Sequence, residues 1–205
     1  MLLYVATSNP GKLRDFAHAA IAFADVTLAP IPNLASIPTP VEDAPTFEGN
    51  ASIKARAYAQ LVPDEIVIAD DSGISVPALG GAPGVRSARY AEDEGFESSG
   101  TPDERNLACL LARTAHLQPA ARIAHYTCVL AAVRNGRLLA TGNGELHGTL
   151  LTAPRGDKGF GYDPIFLIPS LGLTMAEIDP ETRLRLSHRG QALIALLCRL
   201  NPSPL

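Results

Sequence analysis

Five short stretches of the chain combine residue types able to handle phosphate and hard cations. The first is Thr7-Ser8-Asn9-Pro10-Gly11-Lys12. An asparagine followed by proline starts a helix, and N–H groups at a helix start, with the positive end of its dipole, attract anions. Gly11 permits close backbone approach, Lys12 adds a full charge, and Ser8 and Asn9 add hydrogen-bonding groups. The spacing is not that of a Walker loop, and an ordinary capped helix with a surface lysine fits equally. The second stretch, Asp70-Asp71-Ser72-Gly73, follows the apolar run Ile66–Ala69. Adjacent acids there must be solvated, capped or bound to a cation. Their hard oxygens suit Mg2+, and an acidic turn capping its own backbone is the alternative.

The third group is Glu42 and Asp43, then Thr46-Phe47-Glu48-Gly49-Asn50, then Lys54. Asn50 and Lys54 are four apart and share a helix face, with Glu42 on the entry loop as a second metal carboxylate. Solvated helix charges are the plain alternative. The fourth, Gly156 to Pro164, sets three glycines around Phe160 and Tyr162, with Asp163 close by. Such a loop can approach a flat ligand and offer a ring for stacking, or can simply be a turn anchored by its aromatics. The fifth, Ser187-His188-Arg189-Gly190-Gln191, opens the last helix and could read a base edge, pair with phosphate, or merely cap the helix. No GxSxG and no marked Cys–His pair is present, which favours attack by water activated by a metal and a carboxylate.

The elements that must carry these groups are readable from hydrophobic period. Leu2–Thr7 reads as a strand; Leu13, Phe16, Ala17 and Ala20 then mark one face of a helix. Val26–Leu28 reads as a strand, and prolines 30, 32, 38, 40 and 45 bar a helix or central strand from the segment after it. A helix is expected from Phe47 to about Leu61, and a strand over Ile66–Ala69 ending in the acidic turn. Residues 80–88 read as a loop, and Thr101–Ala115 as a capped helix. Ala124–Val133 and Arg137–His147 read as strands joined by Asn135-Gly136, a strong hairpin signal. Gly148–Asp163 reads as loop, Pro164–Leu167 as a short strand, and the last helix buries Leu193, Leu196, Leu197 and Leu200. The pattern is α/β: a mixed sheet with flanking helices.

Composition narrows the class. The 205 residues are 46% hydrophobic and 19% charged, enough apolar surface for a core and too little charge for a disordered chain. A net charge of −4 provides no basic field for nucleic acid. Three widely spaced cysteines, Cys109, Cys128 and Cys198, read as buried thiols of a reducing cytoplasm, and no apolar run is long enough for a signal or a membrane span. The 17 cations include only three lysines, Lys12, Lys54 and Lys158. In a chain that favours arginine, a retained lysine can mark a compact charge needed at a phosphate, or chance.

Taken in order, the stretches ATSNPGK, TFEGNASIKA, ADDSGISVPALGGAPGVRSARYA, GFGYDPIF and SHRGQAL make the chain resemble the inosine triphosphate pyrophosphatase family, the XTP/dITP pyrophosphatases, from Leu2 to Arg199. Each fragment alone is weak, but five in register are specific. The resemblance implies one domain over residues 1–205, with a long mixed sheet, two lobes and the active site in the cleft between them. It implies a cytoplasmic homodimer that hydrolyses ITP, dITP or XTP with Mg2+ to the monophosphate and pyrophosphate. By the same resemblance Thr7, Ser8, Asn9, Pro10, Gly11 and Lys12 hold triphosphate, supported by Lys54. Glu42 and Asp71 hold the metal, Asp71 is also the proton acceptor with Asp70 beside it, and Ser72 meets the substrate. Phe160, Gly161, Tyr162, Asp163, His188 and Arg189 contact the nucleoside. Arg183 stands where the family usually has lysine, keeping the charge but changing its shape.

Three rivals remain at this level. Septum-inhibition (Maf) pyrophosphatases of modified nucleotides lack SHRG and GFGYDP. A non-enzymatic nucleotide sensor would not need Glu42, Asp70 and Asp71, and a structural module would have no use for them either.

Overall fold

The computed structural model describes residues 1–201. Strands β1 (Leu2–Val5), β2 (Thr27–Pro30), β3 (Ile66–Ser75), β4 (Ile123–Arg134), β5 (Arg137–Leu150), β6 (Phe166–Ile168) and β7 (Leu173–Thr174) form one mixed sheet in the order β2-β1-β3-β4-β5-β6-β7. The helices are α1 (Pro10–Ala20), α2 (Phe47–Ala59), α3 (Tyr90–Asp93), α4 (Pro102–Thr114), α5 (Pro180–Leu186) and α6 (His188–Leu200). By contacts the chain divides into two compact units. The first comprises Met1–Ser72, Cys128–Glu145 and the chain from Leu184; the second comprises Gly73–Thr127 and Leu146–Arg183.

In the first unit β1 pairs in parallel with β2 and with β3. Side chains alternate across a strand, and the two hydrophobic clusters sort accordingly. Leu3, Val5 and Ile68 join Phe16 and Ala19 of α1 and Leu193, Leu196 and Leu197 of α6. Ala6, Val67 and Ala69 join Ala51, Ala55 and Tyr58 of α2. Asn9 caps α1 and Thr46 caps α2, each through a side-chain oxygen. The second unit is held partly by α4, whose Thr101/Glu104 capping box matches the expected start. There β5 pairs antiparallel with β6, and β6 with β7.

Several expectations fail for local reasons. The Asp70–Gly73 turn does not exist: all four residues continue β3, where lysines neutralise the acids and an asparagine amide donates a hydrogen bond to Asp71. The second strand lies one residue later than expected and includes Pro30, tolerable because β2 is an edge strand. Strand β5 runs to Leu150, so the glycine loop is shorter than expected. The short strand begins at Phe166, behind a 3₁₀ turn at Asp163–Ile165. Helices α3 and α5 and strand β7, each seven residues or fewer, carried too little periodicity to be read. Cys109 and Cys128 are buried as expected, whereas Cys198 is exposed.

Candidate active site

In the first unit, period two along β3 decides what each acid meets. Asp70 shares the parity of Ile66 and Ile68, and so the face covered by α1 and α6. Asp71 shares the parity of Val67 and Ala69, the face covered by α2. The neighbouring acids therefore point to opposite sides of the sheet and do not form a joint diacid. Asp70 pairs with Lys12 Nζ at 2.8 Å, and the Ser72 hydroxyl donates to it at 3.4 Å. Asp71 accepts from Lys54 Nζ at 3.0 Å and from the Asn50 amide at 3.2 Å. Lys54 also donates to Glu42 Oε2 at 2.9 Å, so two carboxylates from different segments converge on one ammonium.

Both β3 acids are buried, at 4% and 7% exposure. Burial alone would raise the Asp70 pKa, but the Lys12 and Lys54 charges overcome it and hold that carboxyl below its ordinary value. For Asp71, burial wins: reinforced by the Glu42 charge, it pushes the carboxyl up to about 6 despite Lys54 and Asn50. Burial opposes the charge on Lys54, yet Asp71, Asp70 and Glu42 together keep its pKa above normal. A carboxylate that is still ionised at neutral pH, yet this basic, is suited to taking a proton.

The α1 start departs from the expected open anion nest. Asn9 Oδ1 accepts from Gly11 N–H at 2.8 Å and Lys12 N–H at 3.3 Å, Asn9 O accepts from Leu13 N–H, and Pro10 has no N–H. The Thr7 hydroxyl accepts from Asn9 N–H at 3.2 Å, while Ser8 is exposed. The helix N–H groups thus already have acceptors, and the charge of this corner resides in Lys12. His188 and Arg189, at the start of α6, are both buried, and Arg189 Nη1 lies 3.4 Å from Asp15 of α1. Its charge also helps depress Asp70, after the two lysines.

Asn50 and Asp15 are the residues that the sequence reading did not assign to the site. Asn50 was visible as the i−4 partner of Lys54. Asp15 lies three residues after Lys12, a spacing that placed it on a helix but gave no hint of Arg189.

In the second unit the glycine–aromatic loop gathers around Asp163. This carboxylate accepts from the Tyr126 hydroxyl at 3.1 Å, from Phe160 N–H at 2.9 Å, and from Arg183 Nη2. Arg183 Nη1 donates to Met175 O at 3.0 Å. Gly159 has φ +81°, and a Cβ there would lie 2.3 Å from Asp163 Oδ2 and 2.5 Å from Arg183 Nη1, so the pair needs that glycine. Gly161 N–H donates to Asp103. The two aromatics separate in role: Phe160 is exposed, while Tyr162 is buried and its hydroxyl donates to Ser87 O at 2.7 Å. Only Phe160 offers a ring for stacking. A cavity of about 540 Å3, lined by Arg89, Glu92, Phe96, Arg105 and Asn106 among others, includes none of the expected site residues.

The donor set of the first cluster has the chemistry to suit a hard cation and phosphate. Glu42 and Asp71 supply two hard carboxylates already converging on one positive centre, which fits Mg2+, an ion that takes one or two carboxylates and completes its shell with water and phosphate oxygens.

Known proteins resemble this chain over nearly its whole length. The model of the Ham1 family matches residues 3–198. A dITP/XTP pyrophosphatase of Acidobacterium capsulatum is 50% identical over 203 residues, 98% of each chain. One from Geobacillus kaustophilus is 42% identical, over 95% of this chain and 91% of that one. Among solved structures, a HAM1 protein from Coxiella burnetii superposes with a TM-score of 0.83 at 34% identity, covering 99% of this chain and 100% of that one.

Proposed function

The chain belongs to the Ham1 family, and from that premise we propose that it is a Mg2+-dependent nucleoside triphosphate pyrophosphatase. Its substrates are deaminated purine nucleotides (ITP, dITP and XTP), cleaved to the monophosphate and pyrophosphate so that they leave the nucleotide pool. The observation that carries the reading is the convergence of Glu42 and Asp71 on Lys54. The names of the relatives, dITP/XTP pyrophosphatase, support the substrate class.

Glu42 and Asp71 would hold the metal, which when bound neutralises phosphoryl oxygens and acidifies water. Lys12 and Lys54 exchange their carboxylate partners for phosphate oxygens as the triphosphate enters. In this reading Asp71 takes a proton from the attacking water, and the bond between the α and β phosphates breaks to give monophosphate and pyrophosphate. Discrimination rests on donors aimed at the 6-oxo group, because adenine presents an amino group there and leaves a buried donor unpaired, at a cost of about 1–3 kcal/mol. Arg189 and His188 carry N–H donors for that task, whereas the Arg183 guanidinium is already paired with Asp163 and Met175 O.

The working form in this reading is a cytoplasmic homodimer. Among the described residues no helix is long and apolar enough to cross a membrane. The test is a panel of ITP, dITP, XTP, GTP, ATP and the pyrimidine triphosphates with Mg2+, reading pyrophosphate and orthophosphate separately. Preferred hydrolysis of the deaminated purines with pyrophosphate release supports the reading. Orthophosphate release, preference for a modified pyrimidine, or binding without turnover rejects it.

A further inference from the structure

The strands β4 and β5 carry two histidines that the phosphate chemistry does not use. The Leu150 N–H donates to Arg122 O. Three residues further along each antiparallel strand, the same register sets His125 opposite His147. The register is held firmly there. The buried Arg122 guanidinium donates to Leu150 O at 2.8 Å, Leu151 O at 2.7 Å and Thr114 O at 2.6 Å, tying both strands to the end of α4. His147 is exposed and His125 half-buried, so solvent reaches the pair.

The two ring centroids lie 5.6 Å apart with planes tilted by 36°. In a metal-bound imidazole, the metal–nitrogen bond of about 2.0–2.1 Å puts the ring centroid roughly 3.2 Å from the ion. Two such rings subtending a near-tetrahedral angle at one ion have centroids roughly 5–6 Å apart. The observed separation lies within that range. Paired imidazoles select borderline cations such as Zn2+ over Mg2+, which prefers oxygen.

We propose that His125 and His147 form a Zn2+ site on β4 and β5, using no residue of the carboxylate cluster. Among the described residues no group of three His, Cys, Asp or Glu is placed to hold a metal, so water takes the remaining positions. The site is therefore open, with a lower affinity than closed four-ligand centres.

Calorimetric titration of the full-length chain with ZnCl2, in excess Mg2+ and with Cys198→Ser to remove the exposed thiol, tests the site. One Zn2+ per chain is expected. Loss of an outer-shell partner alone costs about 10–100-fold in metal affinity, so His147→Ala and His125→Ala should each weaken binding about tenfold or more. Glu42→Gln should leave it unchanged. His147, being exposed, decides the matter if the half-buried His125 variant folds poorly. Zn2+ binding that survives His147→Ala, or that is lost in Glu42→Gln instead, overturns the assignment.

Discussion

The lysine–carboxylate cluster of the first unit and the Asp163 nest of the second solve the problem of buried charge differently. Around Asp70, Asp71 and Glu42 the partners are lysines, point charges on flexible stems, and the side chains of Lys12 and Glu42 keep 20% and 24% exposure. Around Asp163 the partners are an arginine fork, a tyrosine hydroxyl and a backbone N–H, and the Asp163 side chain is only 6% exposed. In the proposed chemistry the first arrangement exchanges one counter-charge for another, so that a metal or phosphate enters without breaking the fold. The second is saturated and fixes the loop that presents Phe160. Substitutions in the first should therefore cost activity, and substitutions in the second should cost stability first.

The largest expected effect tests the exchangeable side. Asp71→Asn keeps shape and loses charge and basicity, so kcat should fall about 10²–10⁴-fold, as for loss of a general base. Its melting temperature should stay near the parent's. Near-parent turnover at saturating Mg2+ would remove Asp71 from the chemistry.

Next comes the saturated side. Asp163→Ala strands a largely buried Arg183 charge and the Tyr126 hydroxyl, a change of the kind that costs about 3–5 kcal/mol. In a chain of this size that lowers the melting temperature by roughly 6–20 °C. Arg183→Lys should do much less, keeping the ion pair while losing the bond to Met175 O, about 1 kcal/mol. If Asp163→Ala melts like the parent but binds ITP poorly, the nest is a ligand site rather than a scaffold.

Arg189 sharpens the boundary between charge handling and base reading. Lys12→Ala should lower ITP and ATP hydrolysis alike, leaving their kcat/KM ratio unchanged. Arg189→Ala should shrink that ratio by about tenfold if its guanidinium serves the 6-oxo group. An unchanged ratio would assign Arg189 to the Asp15 and Asp70 charges that it already faces.

The smallest effect is at the cap. Asn9→Ala frees the Gly11 and Lys12 N–H groups and should cost about 1 kcal/mol of stability, read by denaturant unfolding.

Local signals made much of the molecule legible in the sequence. Capping residues placed the starts of α1, α4 and α6, Asn135-Gly136 placed the β4–β5 hairpin, and the i,i+4 spacing of Asn50 and Lys54 put both on one helix face, which the fold sets against Asp71. Two of the three lysines do meet buried acids, whereas Lys158 donates to the carbonyls of Glu177 and Ile178. All of these signals act within a turn or two of chain, where composition and period are informative.

What the sequence could not decide was which distant group each charge would meet. Asp70-Asp71 read as one acidic turn because, with no partners in view, adjacent acids belong in water. Only the sheet shows that they face opposite layers, each against its own lysine. The Arg183–Asp163 pair spans 20 residues, Arg189–Asp15 spans 174, and the His125–His147 contact depends on strand register. The sequence determined which chemical groups the chain owns and which helix or strand carries them; tertiary structure alone determined their pairing, because Coulomb and hydrogen-bond energies depend on distance in space, and separation along the chain does not set that distance.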